Sequence, residues 1–192
     1  IVNTLNTTSG TFTVNKDFSD NNTASVSITA SCSSGTVTNS PQTAREGQPA
    51  VFTVTGALAG ATCTATEPTV PSGYTRNQTD CQNGDPLNGS CTIVNTLNTT
   101  SGTFTVNKDF SDNSTTWVNI HLACTSGTVT NTPQLAREGT PAVFTVSGAT
   151  AGATCTATEP VPPPGYTADE SDCQNSDPLN GSCTIVNTLN TT

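Results

Sequence analysis

Positive charge is scarce in this sequence. Its 192 residues hold five Lys and Arg against 14 Asp and Glu, a net charge of −9. Nucleic-acid binding is excluded, because it needs Lys and Arg against phosphates. Attraction to anionic lipid is excluded for the same reason, and no direct membrane contact is expected. The acidic balance is read as favouring solubility. Apolar residues are also few, at 32%, and aromatics reach only 5%. No apolar run approaches the roughly 20 residues of a membrane-spanning helix. Helical periodicity of useful length is missing too, which removes helical folds. No cysteines stand as a CxxC pair, so zinc is not expected, and neither is any other metal or a cofactor. The single histidine, His121, has Thr29 at the corresponding place in the first half. A histidine-dependent active site would need it in both halves, so His121 is read as an exposed strand residue. No signal peptide or sorting motif is present.

What fills the sequence is Thr, Ser, Asn, Gly and Pro, arranged as a repeat. The octapeptide IVNTLNTT occurs at Ile1–Thr8, Ile93–Thr100 and Ile185–Thr192, always 92 residues apart. The chain is thus two modules, and a repeat cut in mid-array reads as an excerpt of a longer chain. Residues 1–8 are read as the last strand of a preceding repeat. Residues 9–100 are then the first β-sandwich repeat and 101–192 the second. A module near 90 residues long buries a modest fraction of its surface and gains from cross-links. Each carries four cysteines: Cys32, Cys63, Cys81 and Cys91, then Cys124, Cys155, Cys173 and Cys183. Four per module read as two disulfides each and an oxidising, extracellular location. Connectivity does not follow from sequence alone. Cys32 and Cys63 face the core on strands that could be neighbours, and Cys81 and Cys91 close a local loop. The pairs expected are therefore Cys32–Cys63 and Cys81–Cys91, with Cys124–Cys155 and Cys173–Cys183 in module two.

Alternation of apolar and polar residues marks the strands. Thr11–Phe18 turns Phe12, Val14, Lys16 and Phe18 to one side. Ser25–Cys32 turns Val26, Ile28, Ala30 and Cys32 inward. Gly35–Thr38 is a candidate short strand, Ala44–Pro49 a turn, and Ala50–Thr55 a strand. Thr62–Glu67 puts Cys63, Ala65 and Glu67 on one face. Pro68–Asn88 is a long Pro-, Gly- and Asn-rich segment with a candidate strand near Tyr74. The closing IVNTL strand turns Ile93, Asn95 and Leu97 inward, and Thr7–Gly10 and Thr99–Gly102 read as polar links. Short strands separated by turn signals read as an all-β sandwich. The loop Asp80–Gly89 offers oxygen ligands without calcium-loop spacing and reads as a turn. Arg45 and Arg137 read as turn residues. The Asn-x-Ser/Thr sequons at Asn21, Asn77, Asn88, Asn98, Asn113, Asn180 and Asn190 follow from composition.

Three polar residues break the apolar faces. Lysine normally decorates surfaces, yet the only two, Lys16 and Lys108, stand on the inward side of the first strand of each module. Glu67 and Glu159 stand inward on another strand, and Asn95 and Asn187 on the last. Such a trio can form an intramolecular amide. Burial disfavours the charged forms of amines and carboxyls, giving a neutral nucleophile and an acid able to shuttle protons. Neighbouring strands supply the proximity, worth roughly 7–11 kcal/mol of barrier. The alternative is a buried Lys–Glu ion pair beside a hydrogen-bonded Asn, which is costly to desolvate.

Glu67–Tyr74 reads EPTVPSGY and Glu159–Tyr166 reads EPVPPPGY, both fitting E-x-x-x-P-x-G-Y. With Lys16 in FTVNKDF and Asn95 in IVNT, the chain resembles the B-type repeat domain of collagen-binding surface proteins, also found in Gram-positive pilins and adhesins. The resemblance implies a prealbumin-like, inverse immunoglobulin sandwich, two in tandem forming a rod. It implies isopeptide bonds Lys16–Asn95 and Lys108–Asn187, assisted by Glu67 and Glu159. The four cysteines per module depart from the family pattern. The function implied is a stalk or fibre repeat of an extracellular, cell-surface protein, its partners being neighbouring repeats and an unknown distal ligand. The bond forms once, so no enzyme activity is expected. Two other readings stand beside it: an adhesin module binding a glycan or host protein through loops around Tyr74–Gly89, and a fibre subunit that donates its terminal strand.

Overall fold

Period-two alternation of Phe, Val and Ile with Thr, Asn and Ser builds a fold made of strands. The computed structural model describes residues 5–191 and divides into two compact units between Asn98 and Thr99. The first unit contains β1 (Thr8–Phe18), β2 (Val26–Cys32), β3 (Thr36–Val37), β4 (Gln42–Ala44) and β5 (Ala50–Ala57). It continues with β6 (Thr62–Thr66), β7 (Tyr74–Asn77), a 3₁₀ turn at Asp80–Gln82, β8 (Asp85–Pro86) and β9 (Ser90–Leu97). One sheet runs β3-β5-β1-β9-β7 and the other β4-β2-β6-β8. All pairings are antiparallel except β1 with β9, which run parallel from Thr13 beside Ser90 to Phe18 beside Asn95. The module's first and last strands therefore lie side by side in the interior of the larger sheet.

The second unit repeats this arrangement. Its strands are β10 (Thr99–Phe110), β11 (Val118–Cys124), β12 (Thr128–Val129), β13 (Gln134–Ala136), β14 (Ala142–Thr150) and β15 (Thr154–Thr158). They are followed by β16 (Tyr166–Asp169), a 3₁₀ turn at Asp172–Gln174, β17 (Asp177–Pro178) and β18 (Ser182–Leu189). The sheets are β12-β14-β10-β18-β16 and β13-β11-β15-β17. Each unit is an all-β sandwich.

The inward faces make a small core. In module one Phe12, Phe18, Phe52, Ile28 and Ile93 are fully buried, and module two buries Phe104, Phe110, Phe144, Ile120 and Ile185. Disulfides join Cys32 to Cys63 and Cys81 to Cys91, and Cys124 to Cys155 and Cys173 to Cys183. The first kind ties directly opposed residues of β2 and β6. The second fastens the 3₁₀ turn to the start of β9.

Several boundaries differ from the sequence reading. Residues Thr8–Gly10 and Thr99–Gly102, read as links, lie in β1 and β10. They pair with β5 and β14 through a register shift just before Gly10 and Gly102, a bulge that breaks the alternation. Gln42–Ala44 and Asp85–Pro86 are strands that the sequence reading left in turn or loop. Both are too short for alternation to register. Thr62–Glu67 stops at Thr66, because Pro68 lacks the N–H that would extend the ladder. Of the Ile1–Thr8 strand assigned to a preceding repeat, the first four residues lie outside the described residues. Arg137, read as a turn residue, stacks its guanidinium 4.5 Å from the centre of the exposed Trp117 ring.

Candidate functional site

β1 carries Lys16 inward because it stands two residues from Val14 and Phe18 on the same face. Its side chain has no exposure to solvent. Directly beside it on β9 is Ile93, and one step along is Phe18 beside Asn95. Lys16 and Asn95 therefore lie on one face of two adjacent strands, offset by a single inward position. Glu67 follows the last residue of β6 in the opposite sheet and faces them across the core.

The Lys16 Nζ donates to the Ile93 carbonyl at 3.0 Å and to the Asp17 carbonyl at 3.1 Å. It sits 4.3 Å from the centre of the Phe18 ring and 3.7 Å from Glu67 Oε2. The Asn95 Nδ2 donates to Glu67 Oε1 at 2.9 Å. The other oxygens, Glu67 Oε2 and Asn95 Oδ1, are buried without a hydrogen-bond partner. Desolvation holds the Lys16 ammonium below its ordinary pKa, although the Glu67 carboxylate pulls the other way. Module two repeats the set. Lys108 donates to Ile185 at 3.0 Å and Asp109 at 3.2 Å, and stands 3.6 Å from Glu159 Oε2. Asn187 Nδ2 donates to Glu159 Oε1 at 2.9 Å. Burial lowers the Lys108 pKa in the same way, again against the pull of Glu159.

The E-x-x-x-P-x-G-Y motif has a mechanical basis. Tyr74 N donates to the Pro71 carbonyl, closing a four-residue turn whose third residue, Gly73, has φ 84°. A side chain there would be strained, so the turn calls for glycine. Module two builds the same turn with Gly165 at φ 86°. The turn delivers Tyr74 to the start of β7, where its ring meets Phe18 edge-on at 5.2 Å. The hydroxyl donates to Asp20 Oδ2 at 2.8 Å and accepts from Asn22 Nδ2 at 2.7 Å. The motif tyrosine thus supports the phenyl ring that covers the lysine. Tyr166 and Phe110 repeat the edge contact at 5.2 Å.

Glu46 and Glu138 contribute from the segments read as turns. Their Oε2 atoms accept from Phe18 N and Phe110 N, each at 2.7 Å. No alternation or spacing points to them, because they reach the site from a loop. The phenylalanines could be found as the next inward residue after each lysine. The eight cysteines lie elsewhere, in the four disulfides, and among the described residues no three His, Cys, Asp or Glu side chains group to hold a metal.

Compared with known proteins, the chain matches no family model and no curated protein. Among solved structures it resembles a single B repeat unit of the collagen-binding surface protein of Staphylococcus aureus. The two share 21% identity over 97% of this chain and 100% of that one, with a TM-score of 0.30. It also resembles the T-13 major pilin of Streptococcus pyogenes, at 10% identity, 97% and 98% coverage and a TM-score of 0.41. The Bacillus anthracis TIE protein is a third, at 13% identity and a TM-score of 0.42; 94% of this chain aligns to 34% of that one. The chain spans about a third of the length of this last protein.

Proposed function

We propose that the chain is a structural repeat of an extracellular stalk or fibre, each module closed by a self-formed bond between Lys16 and Asn95, or Lys108 and Asn187. The observation that carries this reading is the buried Lys–Glu–Asn trio, built from three separate strand ends and present twice with nearly the same distances. A solitary structural ion pair would not require the asparagine at the third corner. Four disulfides support an oxidising, extracellular setting. Neighbouring repeats are the partners the reading calls for.

The chemistry follows from the geometry. Desolvation favours the neutral Lys16 amine, which has a lone pair to offer. Turning the Asn95 amide about its Cβ–Cγ bond exchanges Nδ2 for Oδ1, bringing the carbonyl against Glu67. The proton that the Lys16 ammonium gives up passes to Glu67, which then donates it to that carbonyl and polarises it. Nζ attacks Cγ, and the Nζ–Cγ bond forms as negative charge gathers on Oδ1. Glu67 takes a proton from Nζ and returns one to Nδ2. The Cγ–Nδ2 bond breaks, and ammonia leaves. The product is a secondary amide, with one ammonia lost per module. Buried strands hold the reactants together throughout.

Intact mass after full disulfide reduction tests this. The expected mass is that of the sequence less two ammonia molecules. A mass equal to the unmodified reduced sequence overturns the proposal.

A further inference from the structure

The two disulfides of each module differ in their surroundings. Cys81 and Cys91 are both buried, and so are Cys173 and Cys183. Each of these pairs ties a 3₁₀ turn to a strand within the core. Cys32 and Cys124 are only partly buried, whereas their partners Cys63 and Cys155 are buried. Each of these bridges therefore has one residue toward solvent and one in the core. In module two a cleft of about 210 Å³ lies against Cys124, and its walls include Thr125, Thr154 and Ser176. That is on the order of seven water volumes, room for a molecule the size of a free amino acid.

The core side of each bridge has a carboxyl beside it. β8 and β17 pair with β6 and β15 so that Asp85 stands directly across from Cys63, and Asp177 from Cys155. Directly opposed residues of an antiparallel pair send their side chains to the same face, with Cβ atoms about 4.5–5.5 Å apart. The Oδ2 of each aspartate is buried without a hydrogen-bond partner. Each residue as a whole keeps partial exposure, so its carboxyl can trade protons with water. The isopeptide chemistry uses neither aspartate. The cysteines are also ladder partners of one another, Cys32 with Cys63 and Cys124 with Cys155, their Cα atoms 4.0 Å apart. With the S–S bond open, the ladder would still hold both sulfurs side by side, so the bond can close again.

We propose that Cys32–Cys63 and Cys124–Cys155 are thiol-exchange sites, each taking a low-molecular-weight thiol as a mixed disulfide on Cys32 or Cys124. The incoming thiol loses its proton to water and attacks as the thiolate. Its sulfur bonds to Cys32 Sγ as the Sγ–Sγ bond breaks, and the electron pair of that bond leaves with Cys63. Asp85 relays a proton from water to the Cys63 thiolate, which would otherwise be stranded as a buried charge. Return attack by Cys63 on Cys32 Sγ expels the small thiol and restores the bridge. Cys81–Cys91, with both residues buried, stays closed. The stalk reading gives all four bridges a structural role alone, and the exchange does not depend on the isopeptide bonds.

The test treats the full native chain with millimolar L-cysteine at neutral pH, then quenches with acid, alkylates and maps the peptides by mass. Cysteinylation is expected on Cys32 and Cys124, with Cys63 and Cys155 recovered as alkylated thiols. These two bridges should open about tenfold faster, or more, than Cys81–Cys91 and Cys173–Cys183, because a sulfur must be reached to be attacked. Equal rates for the two kinds of bridge, cysteinylation on Cys63 and Cys155 instead, or no reaction until the chain unfolds each overturns the site. Diluting the L-cysteine away should remove the adduct and restore the bridge, and an adduct that persists overturns the exchange. Asp85→Asn should slow opening several-fold in module one, with module two as the internal reference. A merely structural role for Asp85 would loosen the module and speed opening, so an unchanged or faster rate overturns the relay. The fully reduced intact mass reports the isopeptide bonds separately, so failure of the exchange and failure of the stalk reading are told apart.

Discussion

A lysine without solvent exposure is the least comfortable residue in each module, and its surroundings explain why it is tolerated. Two carbonyls accept from Lys16 Nζ, a phenyl ring covers it, and a carboxylate stands 3.7 Å away. Glu67→Ala removes the acid while keeping both reactants. Module one should then stay unlinked while module two still loses its ammonia, so the reduced mass should fall short of the variant's own sequence by one ammonia where the wild type falls short of its own by two. The stranded cation should also cost module one about 3–5 kcal/mol, read as a lower urea midpoint. A second expectation concerns pH. Asn95→Ala leaves Lys16 in place with nothing to bond. The folded pKa lies below the ordinary 10.5, so the unfolded chain holds more protons between those two values. Stability of the unlinked module should therefore rise with pH through that window. Urea midpoints of Asn95→Ala should climb as the pH is raised towards 10.5, and Lys16→Met in the same background should flatten the slope. The trio was legible in the sequence because Lys, Glu and Asn violate an otherwise apolar face. Glu46 was not, since its carboxylate arrives from a loop and only tertiary structure brings it to Phe18 N.

Among the elements, the disulfides do unequal work. Cys32–Cys63 closes a separation of 31 residues and Cys81–Cys91 one of 10. Chain entropy assigns about 4 kcal/mol to the longer loop and about 3 kcal/mol to the shorter. In a Glu67→Ala background, where no side-chain link competes, replacing Cys32 and Cys63 by Ala should cost module one about 1 kcal/mol more than replacing Cys81 and Cys91. Denaturant unfolding of the two double variants measures the difference. The long strands β1, β2, β5 and β9 could be read from alternation, since three or more inward residues fix a period of two. The short strands β4 and β8 are held by the neighbours they pair with. Alternation has nothing to count in so short a run. The bulges ahead of Gly10 and Gly102 hid the starts of β1 and β10 in the same way, by putting one residue out of phase.

At the scale of the molecule, the linked residues decide how much chain can be drawn out. Lys16 stands in the first strand and Asn95 in the last, so their bond would enclose nearly the whole of module one. Stretching the wild-type chain between its ends should show no long unfolding step from that module. The Glu67→Ala chain should show one on the order of 100 Å, from the stretch that the two disulfides leave open. A mutant as inextensible as the wild type would mean that something other than the side-chain bond resists extension. The parallel pairing of β1 with β9 adds a consequence of its own. Two adjacent strands that run the same way place the start of one and the end of the other at opposite poles of the sheet. A pull on the module therefore slides β1 against β9 lengthwise, loading the ladder from Thr13–Ser90 to Phe18–Asn95 in shear, all rungs at once, where a hairpin would peel open rung by rung.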